Sequence, residues 1–172
     1  MSHKQQIEFC ESVKTRFPQY FKNTNVLDVG SLDINGNNRY LFDMCKYIGV
    51  DIIEGTNVDF VTPIHLLKGS ELFDVVISTE MLEHDIFYIE SIKRMCALLK
   101  KGGLLLITCA TTGRKEHGTR KHEPQDSPAT NRYYENVTKE MLFRSFRELH
   151  FIDFKAEVHE EIGDLYFWGI KE

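Results

Sequence analysis

Two carboxylates, each closing a short apolar run, are the residues whose placement first suggests chemistry. Asn25-Val26-Leu27-Asp28-Val29-Gly30 leads into the turn Ser31-Leu32-Asp33-Ile34-Asn35-Gly36, and Lys46-Tyr47-Ile48-Gly49-Val50-Asp51 ends in an acid. Asp51 stands 21 positions beyond Gly30. A carboxylate about 20 residues after such a turn is placed to accept hydrogen bonds from both hydroxyls of an adenosine ribose. The glycines let the backbone bend sharply and pass close to a ligand. A dinucleotide would want G-x-G-x-x-G, because its pyrophosphate must reach amides at a helix N-terminus. Here Leu32 and Asn35 occupy the second and third glycine positions, and Asp28 and Asp33 add negative charge where phosphates would lie. The pattern suits a cationic, phosphate-free nucleoside.

A second constellation is Ser78-Thr79-Glu80 with His84 four residues beyond Glu80. If a helix has begun there, Glu80 and His84 share a face, and His84 is placed to take a proton from an acceptor oxygen or nitrogen. The structural alternative, which the family resemblance given below implies, makes Leu82-Glu83-His84 a helix start, with Glu83 facing the positive helix end. Cys10, Cys45, Cys96 and Cys109 are widely spaced and read as buried thiols. No His/Cys spacing suggests a metal site, and none is expected.

The elements that must position these residues alternate. Residues 6–21 read as an amphipathic leading helix that frays at Pro18. Strands are expected at 25–30, 46–51, 58–61, 72–78 and 104–109, with helices over 39–45 and 81–99. The second helix should stop at Lys100-Lys101-Gly102-Gly103, where cations meet the negative helix end and glycine permits a left-handed cap. Thr138 should cap a further helix, and 154–159 with 165–170 should form an antiparallel hairpin around Ile162-Gly163-Asp164. Tyr166, Phe167 and Trp168 on that hairpin should pack the sheet. Apolar strands alternating with helices imply an α/β fold: a Rossmann-like three-layer α/β/α sandwich, its seven-stranded sheet mostly parallel with a C-terminal antiparallel hairpin.

Composition bounds the rest. A chain of 172 residues, 42% hydrophobic and 27% charged, suits one domain over residues 1–172. Its apolar runs are far shorter than the roughly 20 residues of a bilayer helix, and no secretory apolar core follows Met1. A cytoplasmic location without membrane association is the default expectation. A net charge of -5 disfavours duplex nucleic acid. The polar connection 110–136 exceeds the usual loop length and reads either as a solvated loop or as a lid over the acceptor. As a lid, its Arg114, Lys115, Arg120 and Lys121 would clamp a small-molecule acceptor of anionic type.

Together, Val26-Leu27-Asp28-Val29-Gly30, Gly49-Val50-Asp51, Phe73 to His84 and Leu98 to Thr108 resemble class I S-adenosylmethionine-dependent methyltransferases of the small-molecule type, similar to the methyltransferase-11 group. The resemblance spans about residues 24 to 170. It implies S-adenosyl-L-methionine as cofactor, with Asp28, Gly30, Ser31 and Leu32 lining its methionine part and Asp51 holding the ribose. Ile52 would pack on adenine, and backbone groups near Thr62 and Ile64 would replace the family's adenine-binding aspartate. Thr79 and Glu80 would face the sulfonium. The implied reaction is methyl transfer to an acceptor oxygen or nitrogen, requiring no metal. A non-catalytic cofactor-binding module and a nicotinamide-dependent oxidoreductase remain as alternatives. The Asn/Asp-Pro-Pro-Tyr signature of nucleic-acid amino-methylating enzymes is absent after Ser78, which again disfavours a nucleic-acid acceptor.

Overall fold

A computed structural model describes residues 4–146 and 149–172; the remainder of the expected domain span lies outside the described residues. The leading helix α1 is Lys4–Arg16. It buries Cys10 and Val13, and Lys14 and Arg16 complement its negative end. Pro18 cannot continue the ladder, so Pro18–Tyr20 forms a single 3-10 turn.

Seven strands follow: β1 Asn25–Val29, β2 Lys46–Asp51, β3 Phe60–Val61, β4 Phe73–Thr79, β5 Leu99–Ala110, β6 Phe151–His159 and β7 Asp164–Lys171. They form one sheet in the order β3-β2-β1-β4-β5-β7-β6. The first five pair in parallel, and β7 is antiparallel to both β5 and β6. The order reverses between β1 and β4, which defines the topological switch point of a Rossmann-like sheet.

Helices α2 (Tyr88–Leu98) and α3 (Lys139–Ser145) cover one face. There Leu27, Val76, Leu105, Ile107 and Phe167 pack against Ile92, Met95 and Phe146. Opposite residues of the same strands, Val26, Val75, Ile77, Leu104 and Trp168, pack against Cys10, Val13 and Phe21. This alternation along each strand produces the three-layer sandwich. Trp168 meets Phe17 on the α1 side, Phe167 meets Phe146 on the other, and Tyr166 stacks on Phe9. Cys10, Cys96 and Cys109 are free and buried and Cys45 is half-buried, with burial pushing the thiols of Cys10 and Cys96 up to about 12. Among the described residues no helix is long and apolar enough to cross a membrane.

Local signals held where the chain decides its own path. Thr138 caps α3 by accepting the Met141 N–H at 3.2 Å. The final hairpin turns where the His159 carbonyl accepts the Gly163 N–H at 2.8 Å, with Gly163 at φ +72°.

Three helical expectations fail. The helix at 39–45 is reduced to the 3-10 turn Arg39–Leu41, because Asp43 is drawn back to the leading segment. Its N–H donates to the Phe21 carbonyl at 2.9 Å, and its carbonyl accepts the Asn23 N–H at 3.1 Å. The helix at 81–99 begins only at Tyr88, after a 3-10 turn at Leu82–His84. The glycine cap at 100–103 does not form either. Leu99 is already extended and pairs with Phe73, so 100–103 continue as β5 and Lys100 bonds Asp74 at 2.7 Å.

Candidate active site at the switch point

The carboxyl ends of β1, β2 and β4 open into a cleft of about 740 Å³, within the range of small-molecule sites. Asp28, Gly30, Ser31, Leu32, Asp51, Ile52, Thr62, Ile64, Thr79, Glu80 and His84 all line it.

The glycine turn is fixed by the β2 end. The Gly30 and Ser31 N–H groups both donate to the Val50 carbonyl, at 2.9 and 3.2 Å. Gly30 adopts φ +77°, and a Cβ there would lie 2.5 Å from Met81 Cγ. Only glycine suits both the backbone and the space. The Asp51 carboxylate accepts the Leu32 N–H at 3.1 Å and the Ile52 N–H at 2.7 Å, one on each oxygen. Each oxygen keeps a lone pair for a ligand hydroxyl. The Asp33 carboxylate accepts the Gly36 N–H and the Asn37 amide, at 2.9 and 2.7 Å, and so closes the loop on itself.

Asp28 sits deeper and is held by the protein. It accepts the Tyr47 hydroxyl and the Asn38 amide, the latter at 3.2 Å, and Asn38 also donates to Thr79 Oγ1 at 3.1 Å. Asn38 thus ties the ends of β1 and β4 together, a link that the spacing of the residues does not signal. Burial pushes the Asp28 carboxyl up to about 6, against the opposing hydrogen bonds of Tyr47 and Asn38.

At the other end, Ile52 and Ile64 flank the half-buried Thr62, whose own N–H is spent on the Asp51 carbonyl at 2.7 Å. His65 stands beside them, its ring 4.7 Å from Phe87 and its buried Nδ1 without a hydrogen-bond partner. Neither His65 nor Phe87 carries a local pattern in the sequence; a turn and a helix entry 22 residues apart bring them together.

At the β4 end, Glu80 and His84 share the cleft but not a helix face. Glu80 has φ +54°, uncommon for a side chain of this kind, and donates its N–H to the Thr108 carbonyl at 2.8 Å. Its Oε1 accepts the Thr108 hydroxyl at 2.8 Å, while its buried Oε2 has no partner. Burial, and then the nearby Glu83 carboxylate, raise the Glu80 carboxyl well above the usual range. For His84, burial and then His117 lower the imidazole to about 3, which makes it a weak proton acceptor. Glu83 is fully buried and, instead of facing a helix end, accepts the Ala110 N–H at 3.2 Å.

The connection after β5 divides in two. Residues 126–130, Arg132 and Tyr133 line the cleft. Arg114 lies elsewhere, bonded to the buried Asp164 at 3.1 Å, and Lys115 and Lys121 line a separate hollow. Arg132 is therefore the cation that this stretch brings to the cleft. Against it stand Asp28, Asp51, Glu80, Asp85 and Asp126, so the lining carries an excess of carboxylates.

Comparisons with known proteins agree with this geometry. A family model described as a methyltransferase domain matches residues 1–151. No curated protein sequence matches significantly. Among solved structures, the 1,6-didemethyltoxoflavin-N1-methyltransferase of Burkholderia thailandensis, with 1,6-didemethyltoxoflavin and S-adenosylhomocysteine bound, superposes with TM-score 0.66 at 18% identity, over 96% of this chain and 77% of that one. Phosphoethanolamine N-methyltransferase 2 of Haemonchus contortus, in complex with S-adenosyl-L-methionine, gives 0.68 at 18% identity, over 97% of this chain and 52% of that one. An S-adenosylmethionine-dependent methyltransferase of Clostridium acetobutylicum gives 0.67 at 11% identity, over 99% and 92%. With a switch-point cleft of this shape and a family match over most of its length, the chain belongs to the methyltransferase-domain family.

Proposed function

We propose that this chain transfers a methyl group from S-adenosyl-L-methionine to an oxygen or nitrogen of a small-molecule acceptor. The observation that carries the reading is the carboxylate-rich cleft at the switch point, with Asp51 at the end of β2 keeping a lone pair on each oxygen. A ligand with an ammonium and a sulfonium suits that field, whereas a pyrophosphate does not.

Gly30, Ser31 and Leu32 line the methionine part, Asp51 holds the ribose, and Ile52 and Ile64 pack on adenine. The Thr62 amide is already engaged, so His65 Nδ1 takes the polar adenine contact there. When bound, the cofactor supplies an activated methyl, which the acceptor's lone pair takes as the carbon–sulfur bond breaks and S-adenosylhomocysteine leaves. Glu80 lines this space, its buried Oε2 has no partner, and its carboxylate receives the acceptor's proton. Its raised affinity for protons suits that role better than the weak base His84, which instead lines the acceptor side. Residues 126–133 act as the lid that excludes water, and Arg132 gives an anionic acceptor its counter-charge.

Labelled S-adenosyl-L-methionine incubated with the protein and a metabolite pool should yield a labelled small molecule. Asp51→Ala should weaken S-adenosylhomocysteine binding by about 1.5–3 kcal/mol, the worth of a charge-assisted hydrogen bond. Binding without any labelled product would identify a non-catalytic module. Preference for a dinucleotide, or unchanged affinity in the variant, would overturn the cofactor assignment.

A further inference from the structure

We propose that Glu83, His84 and His117 form a site for a divalent transition-metal cation of the zinc type, between the cleft and the segment after β5. One ligand atom from each of the three lies within 4.8 Å of the other two, and all three residues are buried. Two imidazole nitrogens and one carboxylate oxygen are a ligand set that zinc takes in three-ligand sites, leaving a fourth position open.

The set is oriented as metal ligands are. In such sites the atom not on the metal is held by a second hydrogen bond. Glu83 Oε1 accepts the Ala110 N–H at 3.2 Å, and His117 Nδ1 bonds the Lys115 carbonyl at 3.1 Å. Glu83 Oε2, His84 Nδ1 and His117 Nε2 are buried atoms without partners. Three unpaired polar atoms in one buried cluster are costly unless something binds them. Among the described residues no lysine or arginine pairs with Glu83, so a dication would also offset its charge.

The surroundings fix both rings. Tyr134 packs against His84 and His117 with centroids 5.5 and 4.9 Å away. The Gly118 backbone presses on His84, where an added Cβ would lie 2.7 Å from Cε1. A tetrahedral zinc shell needs donors about 3.3 Å apart. Binding would therefore draw the ligand atoms, now within 4.8 Å of one another, together to that spacing. The bound cation would pin the segment after β5 to the turn after β4, and its open position would take water or an acceptor oxygen.

The test is equilibrium dialysis of the chelator-treated full chain against Zn²⁺, with Co²⁺ as a spectroscopic probe. One Zn²⁺ per chain and the intense visible bands of four-coordinate cobalt are expected. His117→Ala and, separately, Glu83→Gln should each lower zinc affinity at least about tenfold to a hundredfold, the loss that even a supporting-shell change causes. Circular dichroism and retained S-adenosylhomocysteine binding by His117→Ala would show that the fold survives. Absence of zinc uptake, only pale six-coordinate cobalt, or uptake unchanged in both variants would overturn the site. Because the readout is metal content, its failure leaves the methyl-transfer reading untouched.

Discussion

Gly30→Ala perturbs the turn on which the cleft depends, and its cost can be worked from two terms. Gly30 has φ +77°, and a side chain in the left-handed region costs about 1–2 kcal/mol. The new methyl would lie 2.5 Å from Met81 Cγ and 2.7 Å from Met81 Cβ. Crowding of that kind costs about 1–3 kcal/mol in a packed site. The sum, about 2–5 kcal/mol, is a large part of the 5–15 kcal/mol that holds a typical domain together. Urea unfolding should show this loss. S-adenosylhomocysteine affinity should fall as well, because the displaced loop also carries the Leu32 N–H that orients Asp51. Met81→Ala in the same background removes Cγ but leaves Cβ, which is fixed by the backbone. Rescue is therefore partial, with a coupling of about 0.5–3 kcal/mol in the double-mutant cycle. A Gly30→Ala variant within about 0.5 kcal/mol of the parent, or a cycle with no coupling, would refute the geometry.

Two further outcomes follow from the buried carboxylates. Asp28 is raised from 3.8 to about 6, so between those values the folded chain holds a proton that the unfolded chain has lost. Its contribution is fully present below about pH 4 and is lost as pH rises through about 6, amounting to about 1.4 kcal/mol between about pH 5 and pH 7.5. Denaturant melts at those two values should therefore show a smaller drop in Asp28→Asn than in the parent, and an equal drop would contradict this. Glu80→Gln keeps an acceptor for the Thr108 hydroxyl but cannot take a proton. Its kcat should fall about 10²–10⁴-fold, with S-adenosylhomocysteine affinity nearly unchanged; turnover within a few fold of the parent would remove Glu80 from that role.

The strand ends were legible because their information is local. Val26 to Gly30 and Lys46 to Asp51 are apolar runs closed by residues that only a turn or a ligand needs, and Thr138 carries its own cap. The helix at 39–45 and the two ends of the helix at 81–99 were misread for the opposite reason. Their apolar spacing permits a helix, but the Asp43 N–H bond to the Phe21 carbonyl, the Asn23 N–H bond to the Asp43 carbonyl, and the strand pairing of Leu99 outweigh a propensity worth a few tenths of a kcal/mol per residue. The cation-rich stretch likewise read as a clamp by composition alone, while the buried Asp164 claims Arg114.

The sequence by itself determined where β1, β2 and β4 lie, the glycine turn and the acid that follows it, since each depends on residues close together in the chain. Only the tertiary structure decided that Asn38 joins two strand ends, that His65 meets Phe87, and that Glu83 and His84 face His117. Those contacts join segments far apart in the chain. Their geometry exists only once the sheet has paired and both faces are covered, and no spacing along the sequence encodes a distance across the fold.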